Sequence, residues 1–150
     1  MIIKPALIED LTAILKLQKM AYRSEAELHN DFSIPPMTQT LEEIKKDFAR
    51  QIFLKATDHN KIIGSVRAHA SGETCYIGRL IVHPEFQNQG IGTRLMHEIE
   101  ALFKDAKRFE LFTGHKSKRN LYFYKTLGYK KFMVEKIHAD LQLIYLEKFN

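Results

Sequence analysis

LIVHPEFQNQGIGTRLMHEIE, residues 80–100, joins three kinds of local structure in one short stretch. Its first three residues, Leu80-Ile81-Val82, have the apolar and β-branched character of a strand, and Pro84 ends that strand because proline cannot donate to a ladder. After Gly90 and Gly92, apolar residues at four-residue spacing place one stripe on one face of a helix. The stretch therefore predicts a strand, a glycine turn and a helix in succession.

The glycine turn predicts a binding site for an anion. N–H groups in the first turn of a helix have no partner within the helix, and the helix dipole favours negative charge there. A phosphate or pyrophosphate is the natural ligand, although two glycines before a helix also suit a tight turn that binds nothing. The turn lacks the third glycine of a dinucleotide fingerprint and the Gly-Lys-Ser/Thr of a P-loop.

Two signatures resemble those of the GCN5-related N-acetyltransferases, the GNAT family. Residues 87–92, QNQGIG, are similar to the family's acetyl-coenzyme A motif, Gln/Arg-x-x-Gly-x-Gly/Ala, and they follow a strand as that motif does. Residues 124–129, YKTLGY, resemble its second signature, Tyr-x-x-Leu-Gly-Phe/Tyr. The resemblance implies an α/β fold with a mixed, mostly antiparallel central sheet of about seven strands and helices on both faces.

The hydrophobic pattern predicts eleven elements in the order βααββ, βα, βα, ββ, forming a single domain over residues 1–150. Thr40 and Glu43 form a capping box, and residues 24–39 are predicted to be a loop. The predicted helices are Glu9–Tyr22, Leu41–Arg50, the helix after Gly90 and Lys118–Leu127. The predicted strands are Ile2–Ile3, Ile52–Ala56, Ile62–Ala68, Thr74–Val82, Phe109–Thr113, Lys130–Lys136 and Leu141–Glu147.

Composition places the chain among ordinary globular proteins. It has 150 residues, 45% apolar and 27% charged, which suits one domain with a real core. Cys75 is the single cysteine, so no internal disulfide can form and a reducing cytoplasm is expected. No apolar run approaches the ~20 residues that span a bilayer, and residues 1–5 lack the long apolar core and small-residue cleavage site of a signal peptide. We expect a cytoplasmic protein with no membrane partner.

The net charge of +5 and the pI of about 9.3 suit either an anionic partner or an ordinary basic surface. The densest basic clusters, residues 104–108 and 115–119, are predicted to reach the ligand's phosphates. Nucleic acid is disfavoured as a partner because the chain lacks a helix-turn-helix, a zinc finger, an aromatic platform or a basic arm. The seven histidines show no ligand spacing, so no metal is predicted.

The resemblance implies that acetyl-coenzyme A is the co-substrate and that a primary amine, on a small molecule or a peptide, is the acceptor. The strand before the turn would pair with the pantetheine amides, the turn would cradle the pyrophosphate, and the region before Tyr124 would contact the cofactor. Ser117 stands where relatives usually carry asparagine, and it also suits a helix N-cap. The implied cofactor-binding residues are Leu80, Ile81, Val82, Gln87, Asn88, Gln89, Gly90, Ile91, Gly92, Thr93, Arg94, Ser117, Asn120 and Tyr124.

Tyr124 is the implied general acid, which would protonate the leaving thiolate; it could instead be one of several aromatic residues that pack the last helix. The base is less determined, because relatives carry a glutamate where this chain has Gly78 and Arg79. Glu25 is favoured, since the acidic segment Ser24–Asp31 should border the acceptor site. Glu27, Glu73, Tyr76 and water remain alternatives.

Three further expectations accompany this interpretation. Cys75 could serve a ping-pong route as nucleophile, but a thiol on a strand with no neighbouring base is better explained as structural. A domain that binds acyl-coenzyme A and regulates a partner without turnover is the main alternative function. The apolar segment Leu141–Tyr145 would permit a homodimer through the C-terminal strands, as in relatives.

Overall fold

A computed structural model describes residues 1–150 and contains a seven-stranded mixed sheet. The strands lie in the order β1-β2-β3-β4-β5-β7-β6. All neighbouring strands are antiparallel except β4 and β5, so the predicted fold class is confirmed. The strands are β1 (Ile2–Pro5), β2 (Ile52–Asp58), β3 (Lys61–Ser71), β4 (Thr74–Val82), β5 (Arg108–Gly114), β6 (Lys130–His138) and β7 (Leu141–Phe149).

Helices cover both faces of the sheet. They are α1 (Leu11–Leu28), α2 (Pro35–Thr38), α3 (Leu41–Arg50), α4 (Ile91–Leu102) and α5 (Lys118–Thr126). Consecutive residues of a strand point to opposite faces, and in β2 Phe53 packs in a cluster with α1 and α3 whereas Leu54 packs in a larger cluster with α4 and Tyr124. The predicted apolar stripe of α4 is buried at Ile91, Leu95 and Ile99. None of these helices is both long and apolar enough to cross a membrane.

The prediction for the end of α1 was wrong. The helix begins at Leu11, after a 3-10 turn at Ile8–Asp10, and continues to Leu28 instead of ending near Tyr22. The polar residues after Tyr22 lie on the solvent side of a continuing helix, where Arg23 and Glu27 form an ion pair of 3.1 Å, while Ala26 is fully buried. The acidic segment that contains Glu25 is therefore largely helical, and α2 interrupts the remainder of the predicted loop.

Strands β4 and β5 pair over a short distance and then separate. Their parallel register covers Thr74 to Tyr76 opposite Arg108 to Glu110, and beyond it β4 pairs only with β3. The β3–β4 register shifts between Ser65 and Arg67, and Arg79 on the bulged strand has a φ of +50°. A wedge therefore opens between the second half of β4 and β5.

The sheet ends in the order β5-β7-β6, so that β7 lies inside β6, and the sequence did not indicate this order. Leu141–Tyr145 lies in β7, which pairs with β5 on one side and β6 on the other, so it offers no free edge to a second copy. The edge strand at this end of the sheet is β6, and its residues from Lys130 to Ile137 are all exposed.

Candidate active site

The glycine turn presents a row of free backbone amides. Gly90 caps α4 with a φ of +80°, and the first amide to donate into the helix is that of Arg94, 3.1 Å from the Gly90 carbonyl. The amides of residues 88–93 have no acceptor within the protein. A Cβ on Gly92 would lie 3.4 Å from Cζ of Phe123, so the turn has room for little more than a methyl group. These features fit a pyrophosphate bound by main-chain N–H groups.

Arg119 holds α5 against this turn. Its Nη1 donates to Oε1 of Gln87 at 2.8 Å, and its Nη2 donates to Oδ1 of Asn88 at 3.0 Å. Gln87 in turn donates to the Val82 carbonyl at 3.3 Å. The cluster at residues 115–119 thus reaches the turn as predicted, whereas residues 104–108 follow the far end of α4, where Arg108 pairs with Glu110 and Glu147. For residues 104–108, the predicted approach to the phosphates was wrong.

Leu80, Ile81 and Val82 line the open side of the wedge. They lie on the part of β4 that has no partner towards β5, while Ser65 and Gly64 of β3 pair with Ile81 and Val82 on the other side. One edge of this segment therefore has no strand partner, and the one side-chain contact to its main chain is that of Gln87 with the Val82 carbonyl. An extended ligand with amide groups could add there as a further strand.

Glu25, Ser117 and Asn120 come together at the other side of the wedge. The Glu25 carboxylate accepts a hydrogen bond from the Ser117 hydroxyl at 2.6 Å and one from the Asn120 amide at 3.1 Å. Asn120 also donates to Thr113 Oγ1 on β5 at 3.2 Å. Ser117 occupies the N-cap position of α5, yet its hydroxyl bonds to Glu25 instead of capping the helix.

A buried histidine fixes the end of α1 beside this cluster. His29 Nε2 accepts from the Lys116 amide at 3.1 Å, so Nδ1 carries the proton and donates to the Glu25 carbonyl at 2.9 Å. Gly114 packs directly against the His29 ring, where a Cβ would overlap ring atoms. The backbone that carries Glu25 is therefore tied to the end of β5.

Tyr124 is the buried residue of α5, and its side chain packs in the larger core cluster. Its ring makes edge contacts with Phe123 and Tyr129, with centroids 5.2 and 6.0 Å away. Burial raises the pKa of Tyr124 well above its usual range, and Tyr22 and Glu25 add to that effect. The hydroxyl stays protonated at neutral pH, as a general acid requires.

The other predicted candidates lie in ordinary surroundings. Cys75 is fully buried, and burial raises the pKa of its thiol to about 12, which leaves almost no thiolate at neutral pH. Glu73 pairs with Lys107 at 3.0 Å on the surface, and Glu27 pairs with Arg23. Tyr76 stacks on His69 with ring centroids 5.4 Å apart. No group of three or more acidic, histidine or cysteine residues is arranged to hold a metal.

Sequence reasoning missed three residues in this region, namely Tyr22, Arg67 and Arg79. Burial raises the pKa of Tyr22, and the positive charges of Arg79 and Arg67 oppose that effect, so all three side chains lie close together. Arg67 stands opposite Gly78 in the β3–β4 register, which brings it beside the bulge that carries Arg79. The sequence alone did not indicate that the two arginines lie on neighbouring positions, because the bulge sets the β3–β4 register at this point.

Comparison with known proteins agrees with this geometry. The sequence profile of the acetyltransferase (GNAT) family matches residues 11–129. The chain belongs to the GNAT family. Among curated relatives, this GNAT chain is 27% identical over 118 residues to the UPF0157 protein YqkA of Bacillus subtilis (strain 168). That match covers 79% of the chain, which spans only 34% of the length of YqkA.

Solved structures share the GNAT fold over nearly the whole chain. The smu.2055 protein of Streptococcus mutans UA159 superposes with a TM-score of 0.86 at 17% identity and covers 99% of both chains. The PaiA N-acetyltransferase of Thermoplasma acidophilum, solved in complex with coenzyme A, superposes with a TM-score of 0.73 at 21% identity over 100% of both chains. At such identities the likeness is one of fold.

Proposed function

We propose that the protein is an N-acetyltransferase that moves the acetyl group of acetyl-coenzyme A to a primary amine by direct attack. One observation carries this proposal: the free amides of residues 88–93 follow the unpaired edge of β4 after a single 3-10 turn at Pro84–Phe86. Together they form a main-chain track that suits a pyrophosphate at one end and an amide-containing arm along the rest. Family membership and a neighbour that holds coenzyme A support the same ligand.

Each part of the track has a proposed role. The free amides of residues 88–93 bind the pyrophosphate, with Gln87 beside them and the positive end of the α4 dipole behind them, whereas the Arg94 amide already donates to the Gly90 carbonyl. The free edge of Leu80–Val82 pairs with the pantetheine amides, and Ser117 and Asn120 contact the arm from α5. When bound, acetyl-coenzyme A supplies an activated acetyl thioester.

Two side chains move protons in this proposal. Glu25, whose side chain is 19% exposed, takes a proton from the acceptor ammonium, directly or through water. Tyr124 gives its proton to the departing thiolate sulfur. An N–H of the open β4 edge donates to the reacting carbonyl oxygen, where negative charge develops. The acceptor is a small molecule or a peptide amine, and the single buried thiol suits the cytoplasm as the proposed location.

The first test is calorimetric titration with coenzyme A and acetyl-coenzyme A. Wild type should bind with micromolar affinity, while Gly92→Glu should bind neither ligand, because the added carboxylate fills the turn and repels the phosphates. His97→Glu is the matched control, since it adds an exposed carboxylate to α4 outside the turn. Release of free thiol across a panel of amines then tests the transfer. If the wild-type protein binds neither ligand, the proposal is wrong.

A further inference from the structure

Of two arginines near Tyr22, only Arg67 has a carboxylate within ion-pair distance. Arg67 is only 3% exposed, and its Nη2 contacts Oε1 of Gln39 at 3.0 Å and Oδ2 of Asp47 at 3.6 Å. Phe53 stacks on its guanidinium, with 4.8 Å from Cζ to the ring centroid. Arg79 has no carboxylate within ion-pair distance. This part of the site therefore has an excess of positive charge.

The same two residues carry the unpaired buried donors of the protein. Nη1 of Arg67 and Nε of Arg79 lack a hydrogen-bond partner, and no other buried side-chain nitrogen or oxygen in residues 1–150 does so. Leaving a buried donor without a partner is unfavourable, and more so when the donor is charged. Arg79 also holds a left-handed backbone conformation, with a φ of +50°. Two such costs at one place suggest donors that are kept for a ligand.

The arginines lie beside the proposed reaction centre and away from the pyrophosphate turn. Arg79 immediately precedes the Leu80–Val82 edge, and Arg67 is opposite its neighbour Gly78. The charges of both arginines act on Tyr22, and Tyr22 in turn acts on Tyr124. The groups that face the arginines come from α1, α3 and β2, and Asp47 is the only acid among those in contact.

We propose that Arg67 and Arg79 bind a carboxylate of the acceptor, which makes the acceptor a small amine with a carboxylate on the same molecule, such as an amino acid. This inference rests on the proposed function. Half-buried Arg79 makes the direct contact, since a guanidinium matches a carboxylate with two parallel hydrogen bonds, while Gln18 and Gln39 fix Arg67 behind it. Glu25 then faces the ammonium end, so that the site is complementary to a zwitterion.

The test compares acceptors that differ only at the carboxylate. Thiol release is measured with a panel of free amino acids, their amides and the corresponding decarboxylated amines. For the best amino acid, kcat/KM should exceed that of its amide by roughly tenfold or more, because the amide cannot neutralise the arginines. In Arg79→Gln and Arg67→Gln this ratio should approach one, while the KM for acetyl-coenzyme A stays unchanged. Arg50→Gln, which removes an exposed arginine from α3, should keep the wild-type ratio.

Three results would overturn the assignment. The first is an amide that is acetylated as well as its acid, and the second is a ratio that Arg79→Gln leaves at the wild-type value. The third is a clear preference for aminoethyl phosphate, which would assign the arginines to a phosphate. Calorimetric titration of N-acetyl amino acids and their amides, with and without coenzyme A, measures the same selectivity without turnover. Failure to bind coenzyme A would then count against the proposed function alone.

Discussion

At the scale of single residues, Tyr124 has the protonation state that an acid needs. Tyr124→Phe keeps the ring in its contacts with Phe123 and Tyr129 but removes the proton. We expect kcat to fall by about a hundredfold or more, with the affinity for coenzyme A unchanged. Thiol release and calorimetry measure the two quantities separately. A loss of affinity in place of kcat would indicate that Tyr124 serves packing.

Cys75 separates direct attack from a ping-pong route. Because its thiol is buried and its pKa is about 12, the native protein should resist iodoacetamide and react only when unfolded. Cys75→Ala should keep the wild-type kcat while losing about 1 kcal/mol of stability from the small cavity that forms. Intact mass after incubation with acetyl-coenzyme A checks the route, since an acetylated Cys75 would contradict direct attack.

At the scale of elements, the end of α1 is the part that positions the proposed base. Gly114→Ala would drive a methyl group into the His29 ring, which two hydrogen bonds hold in place. We expect a loss of roughly 1–3 kcal/mol in the free energy of unfolding, together with lower activity because Glu25 shifts. Gly78→Ala is the matched control for stability, since its Cβ meets nothing within 4 Å. Equal chemical-denaturation midpoints for the two variants would contradict this role.

Asp31 connects the turn after α1 to β6 through His138, and this contact stops stabilising the protein at low pH. Hydrogen bonds from Ser33 and His138 lower the pKa of Asp31 from 3.8 to about 2 in the folded protein. Since the folded pKa lies below the unfolded one, the contact stabilises the protein fully above about pH 4 and loses its effect as the pH falls towards 2. Asp31→Asn should cost roughly 1–2 kcal/mol near neutral pH, with the difference shrinking in acid. Urea unfolding at a series of pH values measures this difference in the free energy of unfolding. Asp105→Asn, on the exposed surface, is the control.

Elements that depend on neighbouring residues were predictable, and those that depend on register were not. The Thr40–Glu43 capping box forms as predicted. The two strands predicted on either side of His59-Asn60 are also present, and they meet in a hairpin where both residues adopt a positive φ. The glycine turn also depends on neighbouring residues, and it was predictable for the same reason. The helical state of Glu25 was missed because a polar stretch suits both a loop and an exposed helix face. The Arg67–Arg79 pair was missed because a bulge sets its spacing, which one sequence does not reveal.

At the scale of the whole molecule, ligand binding should add to stability. Coenzyme A at a free concentration of 100 times its dissociation constant stabilises a folded protein by about 2.7 kcal/mol if the unfolded chain does not bind it. We expect thermal unfolding of the wild type to shift upwards with each increase in ligand, whereas Gly92→Glu should unfold at a constant temperature. A shift of equal size in that variant would place the ligand elsewhere.

The wedge between β4 and β5 has a consequence for how substitutions affect the two substrates. Peptide groups supply the track proposed for coenzyme A, and a change of side chain leaves peptide groups in place. Proline, which removes an N–H, and bulky residues at the turn are the exceptions. In the proposed function, side chains from α1, β3 and β4 form the acceptor side, where a substitution alters the groups that meet the amine. On this proposal, the same scaffold can exchange one amine for another while its donor of acetyl groups stays the same.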